Sequence, residues 1–196
     1  MDTPEGRGFD HFLGFFEGGE DYYEHTLGGA CGRKDVHDLW FASAGSRSRP
    51  ALKPARSGIY STHLYTDFIV QHIQQHAAAT LSGSSSAPLF VYAAYQGVHY
   101  PLQVPKQYFD RYTSQGANTG DCVWDQQGVT HSGRMNGFSC SADPAYPSVT
   151  KPELDCHCNR LLVKAQVSAL SDGVGNLTKA LQATGMWANT VLVFQG

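Results

Sequence analysis

Long apolar stretches are missing from this 196-residue chain. The longest lies near residues 89–95, well short of the roughly 18 apolar residues a membrane-crossing helix requires, so no membrane span is expected. A basic excess is missing too. The 14 Lys and Arg stand against 17 Asp and Glu, a formal net charge of −3, whereas a nucleic-acid surface shows as a positive surplus. The start, Met1-Asp2-Thr3-Pro4-Glu5-Gly6, has neither the basic residues nor the apolar core of a secretory signal. Gly6-Arg7-Gly8 does not continue as a dinucleotide fingerprint, because His11 stands where the third glycine belongs, and no P-loop occurs.

What is present is globular in character: 41% hydrophobic and 16% charged residues, at a length that suits one compact unit with a real core. The first sixty residues carry Gly18-Gly19, Gly28-Gly29 and a basic, proline-containing stretch from Arg47 to Arg56, and read as loops with short elements. After Ser61 or Thr62 as N-cap, Leu64, Phe68, Ile69 and Ile73 recur at helical spacing until the serine-rich run at 82–86. Residues 88–95 form a continuous apolar, aromatic-rich run, the pattern of a strand buried on both faces of a parallel sheet. From 113 to about 158 the composition shifts to Ser, Gly, Asn, Asp and Pro, which reads as a Cys-rich insertion, since structureless connections this long are unusual in a compact domain. Helical periodicity resumes with Leu170, Val174, Leu177 and Leu181, stops near Gly185, and is followed by a second apolar run at 190–194. Strand, helix, strand in that order predicts a right-handed crossover and a parallel α/β sheet.

Three stretches resemble a known family. They are Arg7-Gly8-Phe9-Asp10-His11-Phe12-Leu13-Gly14-Phe15 with Gly19-Glu20-Asp21-Tyr22-Tyr23-Glu24-His25; then Tyr60-Ser61-Thr62-His63-Leu64 with Pro88-Leu89-Phe90-Val91-Tyr92 and Ala94-Tyr95-Gln96-Gly97-Val98-His99-Tyr100-Pro101-Leu102-Gln103-Val104-Pro105; and Val174-Gly175-Asn176-Leu177 with Gly185-Met186-Trp187-Ala188-Asn189-Thr190-Val191. In this order they are similar to the type I sulfatases, and within them to the arylsulfatase B, I and J group. The resemblance implies an alkaline-phosphatase-like α/β fold, a mostly parallel sheet flanked by helices, present here only in part. Residues 1–196 then correspond to an internal part of the N-terminal catalytic domain. It also implies a sulfuric ester hydrolase acting on a sulfated sugar or aryl sulfate, with a formylglycine nucleophile and Ca²⁺. The family's C-x-P-S-R motif and its Asp-Asn-Gly metal segment are not in this chain, so nucleophile and metal ligands are expected outside it, and the chain alone is expected to be inactive. The implied location is the secretory pathway, lysosomal or extracellular. A phosphohydrolase of the same superfamily and a non-catalytic sulfated-glycan binder or decayed copy are the rival readings.

The leading site residue is His99, at the carboxyl end of the run at 88–95, where open α/β sheets place ligands. It matches the family histidine that contacts the substrate sulfate, and an imidazole can both donate to a sulfate oxygen and protonate a leaving alkoxide. None of His11, His25 and His37 stands in H-x-x-x-H or H-E-x-x-H spacing, His63, His72 and His76 read as helix residues, and His131 and His157 fall in the insertion. Cys31 lacks the proline of the nucleophile motif, and Cys156-His157-Cys158-Asn159-Arg160 has cysteine in its place. Cys122, Cys140, Cys156 and Cys158 can form two disulfides in any of three pairings, or hold zinc; a secretory setting favours disulfides. Asn176-Leu177-Thr178 is an N-glycosylation sequon.

Overall fold

The computed structural model describes residues 3–27, 36–50, 58–113, 122–124, 129–131 and 152–195. Cys31 and Cys140 lie outside these, as does the side chain of Cys156.

Two long helices organise the chain. Helix α1, Ser61–Leu81, buries Leu64 and Tyr65 in one small core and Ile73 in another, with Ala77 also buried. Neither Ser61 nor Thr62 caps it: Tyr60 is the N-cap residue and makes no side-chain cap bond. Ser61 Oγ instead shares its one hydrogen between the Tyr22 carbonyl at 3.1 Å and Gln96 Oε1 at 3.2 Å, spending it on tertiary structure. The helix ends where Ser82 and the left-handed Gly83 turn the backbone. After the four-residue helix α2, Lys106–Phe109, comes helix α3, Pro152–Ala183, which reaches back into the stretch read as insertion.

The buried stripe of α3 matches the expected one in part. Leu177 and Leu181 are buried, but Leu170 and Val174 are only half-buried, and Ala165, Ala169 and Ala180 are buried with them. Small residues win because α1 comes so close: a Cβ on Gly173 would lie 2.9 Å from Thr66 Oγ1 and 3.6 Å from Thr62 Cγ2. Thr66 Oγ1 cannot easily give way, since it donates to the Thr62 carbonyl at 2.7 Å and meets the Tyr95 hydroxyl at 2.9 Å. Gly175, two residues on, has nothing within 4 Å of a Cβ. Gly175→Ala is therefore expected to raise stability by up to about 1 kcal/mol through helix propensity. Gly173→Ala is expected to lower it by about 1–3 kcal/mol through overpacking, despite the same propensity gain. Denaturant midpoints of the two variants check the opposite signs.

The strands are short. Strand β1, Phe12–Gly14, β4, Trp40–Ala42, and β5, Arg49–Pro50, make one antiparallel sheet; β2, Thr26–Leu27, pairs with β3, Val36–His37. Strand β6, Gln103–Val104, pairs with β8, Val129–His131, which pairs with β7, Cys122–Trp124. The Cys-rich stretch thus contributes a hairpin and a helix start, with Cys122 and Cys158 joined in a disulfide whose Cα atoms are 5.4 Å apart. Around it sits the main core, with Tyr22, Tyr60, Leu102, Val104 and Leu162.

All pairings among the described residues are antiparallel, and the predicted strands at 88–95 and 190–194 join no ladder. Most of their apolar side chains are exposed instead, Phe90 at 76% and Val191 at 91%, while Leu89 and Tyr95 pack half-buried against the cores. A strand exists only by exchanging backbone hydrogen bonds with a neighbour, and neither run shares a ladder with any described segment.

Candidate functional site

His99 stands in the turn that follows the exposed run, in a loop containing cis peptides at Gly97–Val98 and Tyr100–Pro101. Every backbone polar group of His99 is held. Its N–H donates to the Gln96 carbonyl at 2.8 Å, and its carbonyl accepts from the Tyr22 hydroxyl at 2.9 Å. Its ring Nδ1 lies 2.7 Å from the Tyr100 carbonyl oxygen. A carbonyl only accepts, so Nδ1 carries a hydrogen, and Nε2 is left as the nitrogen available to a ligand. The side chain is exposed.

The clamp on this loop comes from the Gly19–His25 block. Gln96, buried, donates through Nε2 to the Glu20 carbonyl and accepts from Ser61. Gln103 accepts from Tyr22 N–H at 2.8 Å and donates to Asp21 Oδ2 at 2.7 Å, while its own carbonyl accepts from Gln166 at 3.1 Å. Asp21 Oδ1 accepts from the N–H groups of Tyr23 and Glu24, which shapes the turn. Burial, and next the Tyr60 phenol, hold the Tyr22 hydroxyl far above its ordinary pKa, so it remains a donor to the His99 carbonyl.

Beneath the clamp is a second cluster. Glu20 and His25 are fully enclosed, with His25 Nδ1 3.2 Å from Glu20 Oε1 and the Tyr65 hydroxyl donating to the same oxygen at 2.6 Å. His25 takes a positive φ of 54°. His11 packs against His72 with ring centroids 4.4 Å apart and the rings tilted by 60°; burial, and then His72, lower the His11 pKa. His72 and His76 stand four apart on α1, a spacing that flags helical metal ligands, and His72 Nδ1 meets the Phe68 carbonyl at 2.8 Å, which leaves Nε2 as its free nitrogen. Among the described residues no group of three or more His, Cys, Asp and Glu is assembled, so these residues do not fit a divalent ion.

A separate cleft of about 350 Å³ between α1 and α3 is lined by His63, Asp67, Tyr108, Asp172, Asn176 and Lys179, and does not include His99. His63 Nε2 and the Tyr108 hydroxyl are hydrogen-bonded at 3.0 Å, and burial lowers the His63 pKa against the pull of Asp67 and Asp172. Asn176 is exposed on α3 at its rim. The residues that carry the His99 geometry, Tyr22, Gln96 and Gln103, sit inside the motif blocks, but only their three-dimensional contacts show what they do.

A family model described as Sulfatase matches residues 1–196. Mouse arylsulfatase J is 28% identical over 194 residues, covering 97% of this chain and 23% of the relative. Arylsulfatase of Klebsiella aerogenes is 24% identical over 201 residues, covering 98% of this chain and 40% of the relative. The chain therefore spans well under half the length of these curated relatives. A solved structure, Ps i-CgsB in complex with k-i-k-neocarrahexaose, superposes with a TM-score of 0.56 at 19% identity, over 96% of this chain and 32% of that one.

Proposed function

The chain belongs to the sulfatase family and carries part of its α/β, alkaline-phosphatase-like fold, and on that premise we propose that it supplies the leaving-group side of a sulfate-ester hydrolysis site. The observation that carries the reading is the 2.7 Å contact of His99 Nδ1 with the Tyr100 carbonyl, which commits one ring nitrogen to the protein and turns the other to the ligand. In hydrolysis the S–O bond to the sugar breaks, the bridging oxygen leaves as an alkoxide, and it needs a proton. Nε2, when protonated, donates that proton or first a hydrogen bond to the sulfate.

The divalent ion and formylglycine implied by the family would come from residues outside this chain; bound, they would polarise the sulfate and attack sulfur. The substrate class is a sulfated carbohydrate, a choice supported by the neighbour's complex with k-i-k-neocarrahexaose. The test is steady-state hydrolysis of a sugar sulfate, nitrophenyl sulfate and nitrophenyl phosphate by the protein containing this chain and by its His99→Ala variant. Sulfate turnover that depends on His99 supports the reading. Phosphate turnover alone would place the protein among phosphohydrolases, and no turnover would leave a glycan binder.

A secretory, lysosomal or extracellular location fits the Cys122–Cys158 bridge and the exposed Asn176. Protein recovered from secreting cells is expected to show Cys122 and Cys158 in one non-reduced peptide and to lose the mass of one glycan on Asn176→Gln. Reduction is expected to cost about 2–4 kcal/mol of stability. A second bridge, Cys140 to Cys156, would add a further loss of about 2 Da on oxidation. Peptide mapping that found free thiols at Cys122 and Cys158 would count against this setting.

A further inference from the structure

We propose that Gly19 is a positioning residue for His99: its missing side chain makes the space in which the imidazole lies. The inference rests on the reading of His99 as the group that meets the sulfate ester, and it names what sets that group's orientation. A Cβ built on Gly19 would stand 3.0 Å from His99 Nδ1, 3.0 Å from the Tyr100 carbonyl oxygen and 3.2 Å from His99 Cε1. These atoms belong to the very hydrogen bond that fixes the ring tautomer.

The glycine is not there for its backbone. Its φ lies outside the left-handed range, unlike Gly8, Gly45, Gly58, Gly83 and Gly185. Space is the remaining reason, and neither side can retreat to make more of it. One residue on, the Glu20 carbonyl accepts from Gln96, and the Glu20 side chain is locked in the buried cluster with His25 and Tyr65. Opposite, the loop is tied at the His99 N–H by Gln96 and at the His99 carbonyl by Tyr22. The imidazole yields most readily, turning about its own side-chain bonds, and the Tyr100 carbonyl oxygen shifts by a few tenths of an ångström with it. That turn breaks the Nδ1–H bond to Tyr100 and re-aims Nε2.

Gly18 supplies the control, since a Cβ there meets nothing within 4 Å and its φ is likewise unrestricted to left-handed values. Gly19→Ala is expected to lower kcat on a sugar sulfate about 10–100-fold with little change in KM, the scale of a reacting group displaced by about 1 Å. Gly18→Ala is expected to behave as wild type.

A purely structural role would not move the ring tautomer, so the second readout is long-range ¹H–¹⁵N NMR of the histidine-labelled protein, with the His99 signals assigned by their loss in His99→Ala. Wild type and Gly18→Ala are expected to show neutral His99 as the Nδ1–H form; Gly19→Ala is expected to show mixed tautomers. An Nε2–H form in wild type overturns the proposal without recourse to any variant, and so does a Gly19→Ala protein that keeps both the Nδ1–H form and kcat. Mixed tautomers in Gly19→Ala alongside full activity in His99→Ala support Gly19 as the residue that sets the ring and remove His99 from the chemistry.

Discussion

His99→Ala is expected to lower kcat on a sugar sulfate by about 10²–10⁴-fold, the span of a positioned acid or base. The argument starts from the poor leaving group. A sugar alkoxide is strongly basic, so the transition state places charge on the bridging oxygen, and a proton delivered there removes much of the barrier. Nitrophenolate is stable without a proton, so the same substitution is expected to cost nitrophenyl sulfate far less. Simple sulfate binding gives a different pattern, because both esters present the same three terminal oxygens and both would lose alike. The two-substrate comparison on wild type and His99→Ala decides it: equal losses make His99 a binding residue, and no loss on either removes it from the site. His99→Gln separates the two further, since an amide still donates a hydrogen bond but does not surrender a proton.

How much of this was legible in the sequence depends on whether the forces are local. Helix α1 was, because Leu64, Phe68, Ile69 and Ile73 recur at helical spacing and each helical turn closes its own hydrogen bonds. The α3 stripe is legible at Leu177 and Leu181, but at Leu170 and Val174 the neighbouring small residues are the buried ones, and the close approach of Thr66 selects Gly173. The runs at 88–95 and 190–194 have a strand's composition, yet composition does not supply a partner, and both stand outside any ladder and largely exposed. Read as buried strands, they are the residues whose apolar area most needs covering.

The site divides the same way. His99 was readable as a histidine at the end of an apolar run, and the family resemblance gave it a role. The clamp was not readable, because Tyr22 reaches the His99 carbonyl across 77 residues and Gln103 reaches Tyr22 across 81. His25 read as one loop histidine among several; its complete burial beside Glu20 appears only when α1 brings Tyr65 over the pair. Gly19 looked like half of a loop signal, Gly18-Gly19, and the two glycines differ only in what lies beside them.

Glu20→Ala is expected to destabilise the protein by about 3–5 kcal/mol, because it strands two buried donors at once, each worth about 1–3 kcal/mol unpaired. Those donors are the Tyr65 hydroxyl and His25 Nδ1, both directed at Glu20 Oε1 inside a region without solvent access. Glu20→Gln, which keeps the shape and one acceptor oxygen, is expected to lose less. Tyr65→Phe alone costs the hydroxyl's bond, but in the Glu20→Ala background it removes a stranded group and is expected to restore stability. The coupling between the two sites is therefore expected at about 1–3 kcal/mol, and additivity within about 0.5 kcal/mol would overturn it. Alkaline unfolding gives an independent check. Burial first, and then the Glu20 charge, raise the Tyr65 pKa well above its ordinary value near 10.0. The unfolded chain releases that proton earlier, so the stability is present below the unfolded value and is lost as pH rises toward the folded one. Tyr65→Phe removes the titrating hydroxyl, and urea midpoints measured from neutral pH upward are expected to fall less steeply for it than for wild type.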